Sequence, residues 1–231
     1  FLLTVKNPFP WAISRDYELY RPLDDLQIHR AVDLQFELVY FALRKLGVDP
    51  RAYFAFDETI GWIPNAYLIG KKLVEREQLD CILASYPPPS SLIIGSILGM
   101  KCQVPVVLDY RDAWNSSSGI VHPSRVHRRV PMSLERTILA RSDGIVTVCD
   151  PISDMLIEDF PIVRDKRIEI VRNGFLSGIL EAEACTFTDR KIHILHAGRI
   201  YEEKQVRQTL SFLKGLSMLS GRISSLGDKL D

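Results

Sequence analysis

The stretch Val104-Pro-Val-Val-Leu-Asp-Tyr-Arg-Asp-Ala-Trp-Asn115 joins a short apolar segment directly to a dense polar one. A continuous apolar run of this length is typical of a strand that is buried on both faces of a parallel sheet. Ligands of such sheets bind beyond the carboxyl ends of the strands. A strand over residues 104–108 would therefore place Asp109, Arg111 and Asp112 at a ligand-binding edge, so this stretch predicts both a fold class and a candidate site.

The sequence on either side repeats this alternation of apolar strands and helices. Further strands are predicted at residues 81–85, 145–149 and 167–171, and helices at residues 90–100, at 133–141 and from Asp150, with Asp150 as N-cap, onward. Strands that alternate with helices indicate βαβ units, whose crossovers are almost always right-handed. We therefore predict an α/β fold with a doubly wound, parallel, Rossmann-like sheet.

Upstream of this alternation the pattern is helical. Residues 26–46 carry apolar side chains at near-helical spacing and stop at Gly47, a suitable C-cap, and residues 60–77 predict a second helix. The chain opens at Phe1 within an apolar run over residues 1–5, which suggests an internal fragment of a longer protein.

Downstream of Asn173-Gly174 the alternation lapses and then resumes once. A strand is predicted at residues 192–197 and a helix at 201–219. A lone strand–helix pair cannot bury its apolar face, so it predicts the opening of a truncated second Rossmann-like domain. The predicted organisation is a first domain over residues 1–173, a linker over 174–190 and an incomplete second domain over 191–231.

Composition excludes several classes of protein. Of the 231 residues, 46% are hydrophobic, and 29 lysines and arginines balance 29 aspartates and glutamates. Zero net charge argues against a dedicated nucleic-acid binder. The longest apolar stretch, residues 92–100, is about half of what a bilayer span requires, so membrane contact would be peripheral. The four cysteines lack metal-ligand spacing, and Cys81 and Cys149, each in an apolar run, are expected to be buried thiols.

Two predicted strand ends on the first domain are candidate sites. After residues 104–108, Arg111 can bind one of the two carboxylates, Asp109 or Asp112, in a bidentate manner and leave the other free to bind a hydroxyl or act as a base. The alternative is a structural salt bridge that closes the end of the strand. After residues 81–85, three prolines precede Ser90 and Ser91, which can offer hydroxyls to an anion at a helix N-terminus. A rigid loop with a serine N-cap is the alternative there.

A third candidate site follows the strand at 192–197. Gly198 allows close approach of the backbone, and Arg199 and Lys204 can face a diphosphate near a helix N-terminus. The alternative is a solvated helix start. A basic run over residues 125–129 fits either an anionic acceptor or membrane surface, or a solvated face.

Taken in chain order, these pieces form a pattern. They are Asp80-Cys-Ile-Leu-Ala-Ser85 with Pro87-Pro88, Pro105-Val-Val-Leu-Asp-Tyr-Arg-Asp-Ala-Trp114, Leu134-Glu-Arg136, Ala140-Arg-Ser-Asp143, Ile145-Val-Thr-Val148, Val171-Arg-Asn-Gly-Phe175 and Ala197-Gly-Arg-Ile-Tyr201. The ordered set resembles the family-4 glycosyltransferases of the GT-B fold, over nearly the whole chain and most tightly from Asp80 to Lys204.

The resemblance implies two Rossmann-like domains that face a cleft, the first for the acceptor and the second for a nucleotide-sugar. It places Asn173-Gly174 at the passage between them, and Arg199 and Lys204 on the family's two cations that hold the donor diphosphate. Fixed cations stabilise the leaving diphosphate, so neither a metal nor a cofactor beyond the nucleotide-sugar co-substrate is expected. Asp112 is the candidate for contact with the acceptor hydroxyl, and Arg111 would orient it.

On the acceptor side, the loop residues expected to participate are Ser90, Ser91, Asp109 and Trp114. Three departures from the family pattern stand out. Leu176 replaces the aspartate that is common after the Asn-Gly turn, and no glutamate follows Glu203, so the family's paired donor-site glutamates cannot be present in this sequence. The usual first strand and its glycine-containing loop would precede Phe1.

The resemblance therefore implies a fragment of a retaining glycosyltransferase of polysaccharide or glycolipid biosynthesis, inactive by itself. Its partners would be a nucleotide-sugar and a sugar or lipid-linked acceptor, with no nucleic acid. Its expected location is the cytoplasm, with peripheral contact at the inner face of the membrane as an option. Two alternatives stay open: a non-catalytic α/β module that binds a small anion or a protein partner, and a sugar-nucleotide epimerase.

Overall fold

The computed structural model describes residues 1–5, 26–34, 45, 60–115, 125–174 and 215. The chain divides into two compact units, Phe1–Gly174 and Phe175–Asp231. All elements described below belong to the first unit. The predicted strand at 192–197 and helix at 201–219 lie outside the described residues, apart from the helical Gly215, and so does the linker beyond Gly174.

Six strands and four helices alternate through the described part of the first unit. In chain order they are β1 (Leu2–Val5), β2 (Ile28–Ala31), α1 (Ile63–Glu77, after a 3-10 turn at Ile60–Trp62), β3 (Ile82–Tyr86), α2 (Pro89–Cys102), β4 (Val106–Tyr110), α3 (Arg125–Arg141), β5 (Gly144–Thr147), α4 (Asp150–Asp159, followed by a 3-10 turn at Pro161–Val163) and β6 (Ile168–Ile170).

The main sheet has the order β3-β4-β5-β6, and each neighbouring pair is parallel. In register, Leu108 of β4 lies between Ala84 of β3 and Ile145 of β5, and all three side chains are buried in one hydrophobic cluster. Apolar residues follow one another along β4 because helices cover the sheet. The predicted parallel, Rossmann-like α/β fold is confirmed.

A second, two-stranded sheet pairs β1 with β2 in parallel. The prediction of a helix over residues 26–46 is therefore wrong at its start, where residues 28–31 are extended. Ala31 is fully buried against α1 in a second hydrophobic cluster, and pairing with the apolar run of β1 satisfies the backbone of β2. This tertiary partner overrides the local helical spacing, most of which falls on residues 35–44, outside the described part of the chain.

Helix α2 is shared by the two hydrophobic clusters. Leu92 packs in the cluster of the main sheet, whereas Ile94 and Leu98 pack in the cluster that contains Ala31. A helix that is apolar all round is buried on more than one side, and α2 meets α1, β3 and β4. A Cβ atom on Gly95 would lie 2.6 Å from the Cβ of Ala84, so only glycine permits this approach to the sheet.

Two local predictions are corrected at the edges of elements. Helix α4 is capped by Cys149 without a side-chain hydrogen bond, so Asp150 is its first residue and not its N-cap. Cys81 is exposed because it precedes the paired residues of β3, whereas Cys149 is half-buried; neither is the fully buried thiol that we predicted, and both are free.

Candidate functional site

The candidate site lies at the carboxyl end of β4, where residues 111–115 form what we call the site loop; all of them except Ala113 are polar or aromatic. Asp109 is the last residue but one of β4, and it pairs in register with Ser85 of β3. The Ser85 hydroxyl donates a 2.8 Å hydrogen bond to Oδ2 of Asp109, whose side chain is buried. The first contact of the site thus joins two neighbouring strands.

Arg111 extends this contact to a third strand end. Its Nε donates to Asp109 Oδ2 at 2.9 Å, and its Nη1 donates to Oδ1 of Asn173 at 2.8 Å. Asn173 follows β6, so side chains from three parallel strand ends meet here. We call Ser85, Asp109, Arg111 and Asn173 the carboxyl-edge cluster. The second oxygen of Asp109, Oδ1, is buried and has no hydrogen-bond partner among the described residues.

Asp112 stands apart from this cluster. Its side chain is exposed, and within the described residues it has no hydrogen bond or ion pair. Arg111 holds the Asp109 carboxylate through a single nitrogen, a contact that a structural salt bridge would also show. Both Arg111 and Asp112 lie in the described part of the chain and form no hydrogen bond or ion pair with each other, so the orientation of Asp112 by Arg111 stays a prediction.

Trp114 anchors the site loop in the core. Its ring is 2% exposed and stacks on Tyr86, with centroids 6.0 Å apart and planes inclined by 24°. Tyr86 in turn lies 6.0 Å from Tyr110, centroid to centroid. Trp114, which we expected on the acceptor side, therefore anchors the loop from within the core and does not line its exposed surface.

The far end of the site loop meets α3. Asn115 donates two hydrogen bonds to Oε2 of Glu135, from its side-chain Nδ2 at 2.7 Å and from its backbone nitrogen at 3.3 Å. Burial raises the pKa of the Glu135 carboxyl from 4.5 to about 7, against the opposing effect of these two hydrogen bonds. Burial, followed by the nearby Glu135 carboxylate, raises the pKa of Tyr110 well above its ordinary value of 10.

The two serines at the start of α2 have different surroundings. Ser90 is fully buried, and its hydroxyl accepts a 2.6 Å hydrogen bond from the indole nitrogen of Trp62. Pro88 occupies the N-cap position of α2, so neither serine caps the helix. Ser91 is half-buried and lines a cavity of about 400 Å³ together with residues of β1 and β3. Of the pair, Ser91 is the one that adjoins open space.

The remaining predicted features are placed as follows. Gly198, Arg199 and Lys204 lie outside the described residues. Arg125, Arg128 and Arg129 are exposed at the start of α3. Among the described residues, no group of three or more His, Cys, Asp or Glu side chains is placed to hold a metal ion.

The site contains residues that the sequence did not mark as functional, among them Ser85, which reaches Asp109 only through strand register. The sequence analysis assigns Asn173 only to a turn and to the passage between domains. It nevertheless follows a predicted strand, and ligands of parallel sheets bind beyond the carboxyl ends of the strands. Glu135 entered only through the resemblance. A glutamate on the apolar face of a helix, between Pro131 and the buried pair Ile138 and Leu139, is the signal that marks it as a buried carboxylate.

No helix in the part of the chain that the structure describes has the length and apolar character needed to cross a bilayer. No curated protein matches the sequence.

The glycosyl transferase 4-like domain family matches residues 14–174 of the 231. The match contains β3 to β6, the site loop and the carboxyl-edge cluster, and so agrees with the resemblance drawn from the motifs. It extends over more than half of the chain and ends at the boundary between the two compact units. The chain therefore belongs to the glycosyl transferase 4-like domain family.

Proposed function

We propose that the first unit forms the acceptor side of a retaining glycosyltransferase, which moves a sugar from a nucleotide-sugar to a hydroxyl of a saccharide or lipid-linked acceptor. Family membership supports glycosyl transfer in general. The observation that carries the finer proposal is the exposed carboxylate of Asp112, which lies in the site loop at the carboxyl end of a parallel strand.

The charges around Asp112 suit this role. Arg111 is occupied by Asp109 and Asn173, so its charge is largely directed to the carboxyl-edge cluster. The Asp112 carboxylate is then available to accept a hydrogen bond from the acceptor hydroxyl and to align its oxygen for attack on the sugar. Asp109 and Arg111 hold the neighbouring strand ends together through their contacts with Ser85 and Asn173.

For the donor, we propose that Gly198, Arg199 and Lys204 hold the diphosphate. During transfer the bond between the sugar and the diphosphate breaks, and negative charge grows on the leaving group. Fixed cations stabilise that charge in the transition state. The exposed arginines at the start of α3 offer a surface for an anionic acceptor or lipid headgroup, in keeping with polysaccharide or glycolipid synthesis at the periphery of a membrane.

The test is sugar transfer by the full-length protein that contains these residues, with panels of nucleotide-sugars and saccharide or lipid-linked acceptors. Asp112→Asn is expected to lower kcat/KM for the acceptor by about 10²-fold or more. Asp165→Asn, an exposed aspartate in the turn before β6, serves as the matched control and is expected to leave transfer unchanged. Arg199→Ala is expected to impair use of the donor far more than folding.

Other outcomes would overturn the proposal. If Asp112→Asn transfers sugar as fast as the control variant, Asp112 has no part in the reaction. A change in the sugar of the nucleotide-sugar without any acceptor would indicate an epimerase. Binding of anions without turnover, across the whole panel, would favour a non-catalytic binding module.

A further inference from the structure

A buried carboxylate lies beneath the site loop and takes no part in the proposed contact with the acceptor. Glu135 of α3 is 0% exposed, yet no arginine or lysine among the described residues forms an ion pair with it. Both hydrogen bonds that it accepts from the described residues come from Asn115, the last residue of the site loop. Its second oxygen, Oε1, is buried without a hydrogen-bond partner there.

The surroundings of Glu135 oppose its negative charge. Burial disfavours the ionised form, and the carboxylate of Asp159, at the end of α4, adds repulsion. The Tyr110 hydroxyl of β4 lies close to the Glu135 carboxyl, and this contact, like the two from Asn115, lowers the pKa of Glu135 less than burial raises it. An apolar side chain of similar size would avoid these costs but would leave both donors of Asn115 without this acceptor. The hydrogen bonds to Asn115 are therefore what a glutamate provides at this position.

These hydrogen bonds connect Glu135 to the site loop. At its first end the site loop is held by Arg111, which is bonded to Asp109 and Asn173. At its other end it is held by Trp114, packed in the core, and by Asn115 on Glu135. Asp112 lies between these two anchors. Removal of the Glu135 anchor would leave both donors of Asn115 without this acceptor, so the end of the loop would be free to shift toward water.

We infer that Glu135 is a positioning residue of the acceptor site: its carboxylate fixes Asn115 and thereby sets the placement of Asp112 in the site loop. This inference rests on the function proposed above for Asp112. It assigns to α3 a part in the site that does not involve contact with substrate.

Three variants separate positioning from general stability. Glu135→Gln keeps an oxygen that accepts from Asn115, whereas Glu135→Leu fills the same space without an acceptor. Arg136→Leu, at the exposed neighbouring position of α3, controls for the effect of a leucine on the helix. Asn115→Ala removes the side-chain donor from the loop without a change in α3, and it replaces Glu135→Leu should that variant fail to fold.

Amide hydrogen exchange and steady-state kinetics, both on the full-length protein, provide the readouts. In Glu135→Leu, exchange over residues 111–115 is expected to rise about ten-fold or more, while exchange in β5 stays unchanged. The acceptor kcat/KM is expected to fall by about ten-fold or more at constant donor KM, and Glu135→Gln is expected to preserve both readouts.

The inference is overturned if Glu135→Leu leaves exchange of the site loop unchanged, or if loop and β5 loosen together in proportion to a loss of global stability. Equal loss of activity in the glutamine and leucine variants would also overturn it. Hydrogen exchange requires no turnover, so a wild-type protein without transferase activity would contradict the proposed function while leaving the loop measurement decisive.

Discussion

Ser85 and Asp109 stand opposite one another on adjacent parallel strands, and the serine hydroxyl donates a 2.8 Å hydrogen bond to the aspartate. The same oxygen of Asp109 accepts from Arg111 at 2.9 Å. A buried carboxylate without such partners would be strongly disfavoured. The two contacts thus allow a charge to lie within the sheet edge and bring the guanidinium of Arg111 to the site.

We predict that Asp109→Asn lowers the free energy of unfolding by about 1–3 kcal/mol, because the charge-assisted contact with Arg111 is lost and a buried group is left poorly matched. Ser85→Ala removes one neutral donor and is expected to cost about 1 kcal/mol. Urea unfolding at neutral pH measures both. Asp165→Asn is the control, and an Asp109→Asn variant as stable as this control would contradict the prediction.

The raised pKa of Glu135 predicts a dependence of stability on pH. Because the pKa is about 7 in the folded chain and 4.5 ordinarily, the folded state binds this proton more tightly than the unfolded state. The associated stabilisation is fully present below pH 4.5 and is lost as the pH rises through 7. Glu135→Gln does not titrate, so its free energy of unfolding relative to wild type should rise by up to about 3 kcal/mol between pH 4.5 and 8.

Urea unfolding of both proteins at several pH values tests this, and the difference between them removes the contributions of other titrating groups. A difference that is constant from pH 4.5 to 8 would show that the carboxyl of Glu135 has the same proton affinity in both states.

Substitution of Gly95 is predicted to disturb the packing of α2 on the sheet. The Cβ of Gly95→Ala would lie 2.6 Å from the Cβ of Ala84, and neither backbone can yield without a shift of helix or strand. Overpacking of this kind costs about 1–3 kcal/mol. Gly174→Ala is the matched control, since a Cβ there meets no atom within 4 Å. Thermal or urea unfolding measures both, and equal stability of the two variants would refute the packing argument.

The alanine variants of Ser90 and Ser91 are predicted to differ in stability. Ser90→Ala leaves the buried indole N–H of Trp62 without this acceptor and should lower the free energy of unfolding by about 1–3 kcal/mol. Ser91→Ala, at the half-buried neighbouring position, should stay within about 0.5 kcal/mol of wild type. Comparable destabilisation by both variants would indicate that the helix start, not the Trp62 contact, is the sensitive feature.

The alternation of strands and helices between β3 and β6 could be predicted from sequence because each element carries its own signal. The short run Ile145-Val-Thr-Val148 consists of β-branched residues and follows a glycine, which is typical of a buried strand. Strand β2 could not be predicted, since its four residues are stabilised by pairing with β1, a partner distant in sequence. Local spacing contains no information about that pairing.

The site, like the fold, has features that could be predicted from the sequence and others that could not. That Asp109, Arg111 and Asp112 lie at one sheet edge follows from their position at, or just beyond, the carboxyl end of an apolar strand. The partner of each group does not, because it depends on register and on the path of the chain beyond the strand. Ser85 faces Asp109 through strand register, and Asn173 meets Arg111 only in the folded sheet. The burial of Trp114 against Tyr86 is likewise a property of the packed core.

Anchoring of the site loop at both ends has a consequence for selectivity. A loop that is tied down before the acceptor arrives has little conformational entropy left to lose, so more of the contact energy is retained as affinity. The same rigidity prevents the loop from following an acceptor whose hydroxyl stands in a different place. Acceptors would then be distinguished by the geometry of their own hydroxyl groups, as by a template, and not accommodated by an adaptable surface.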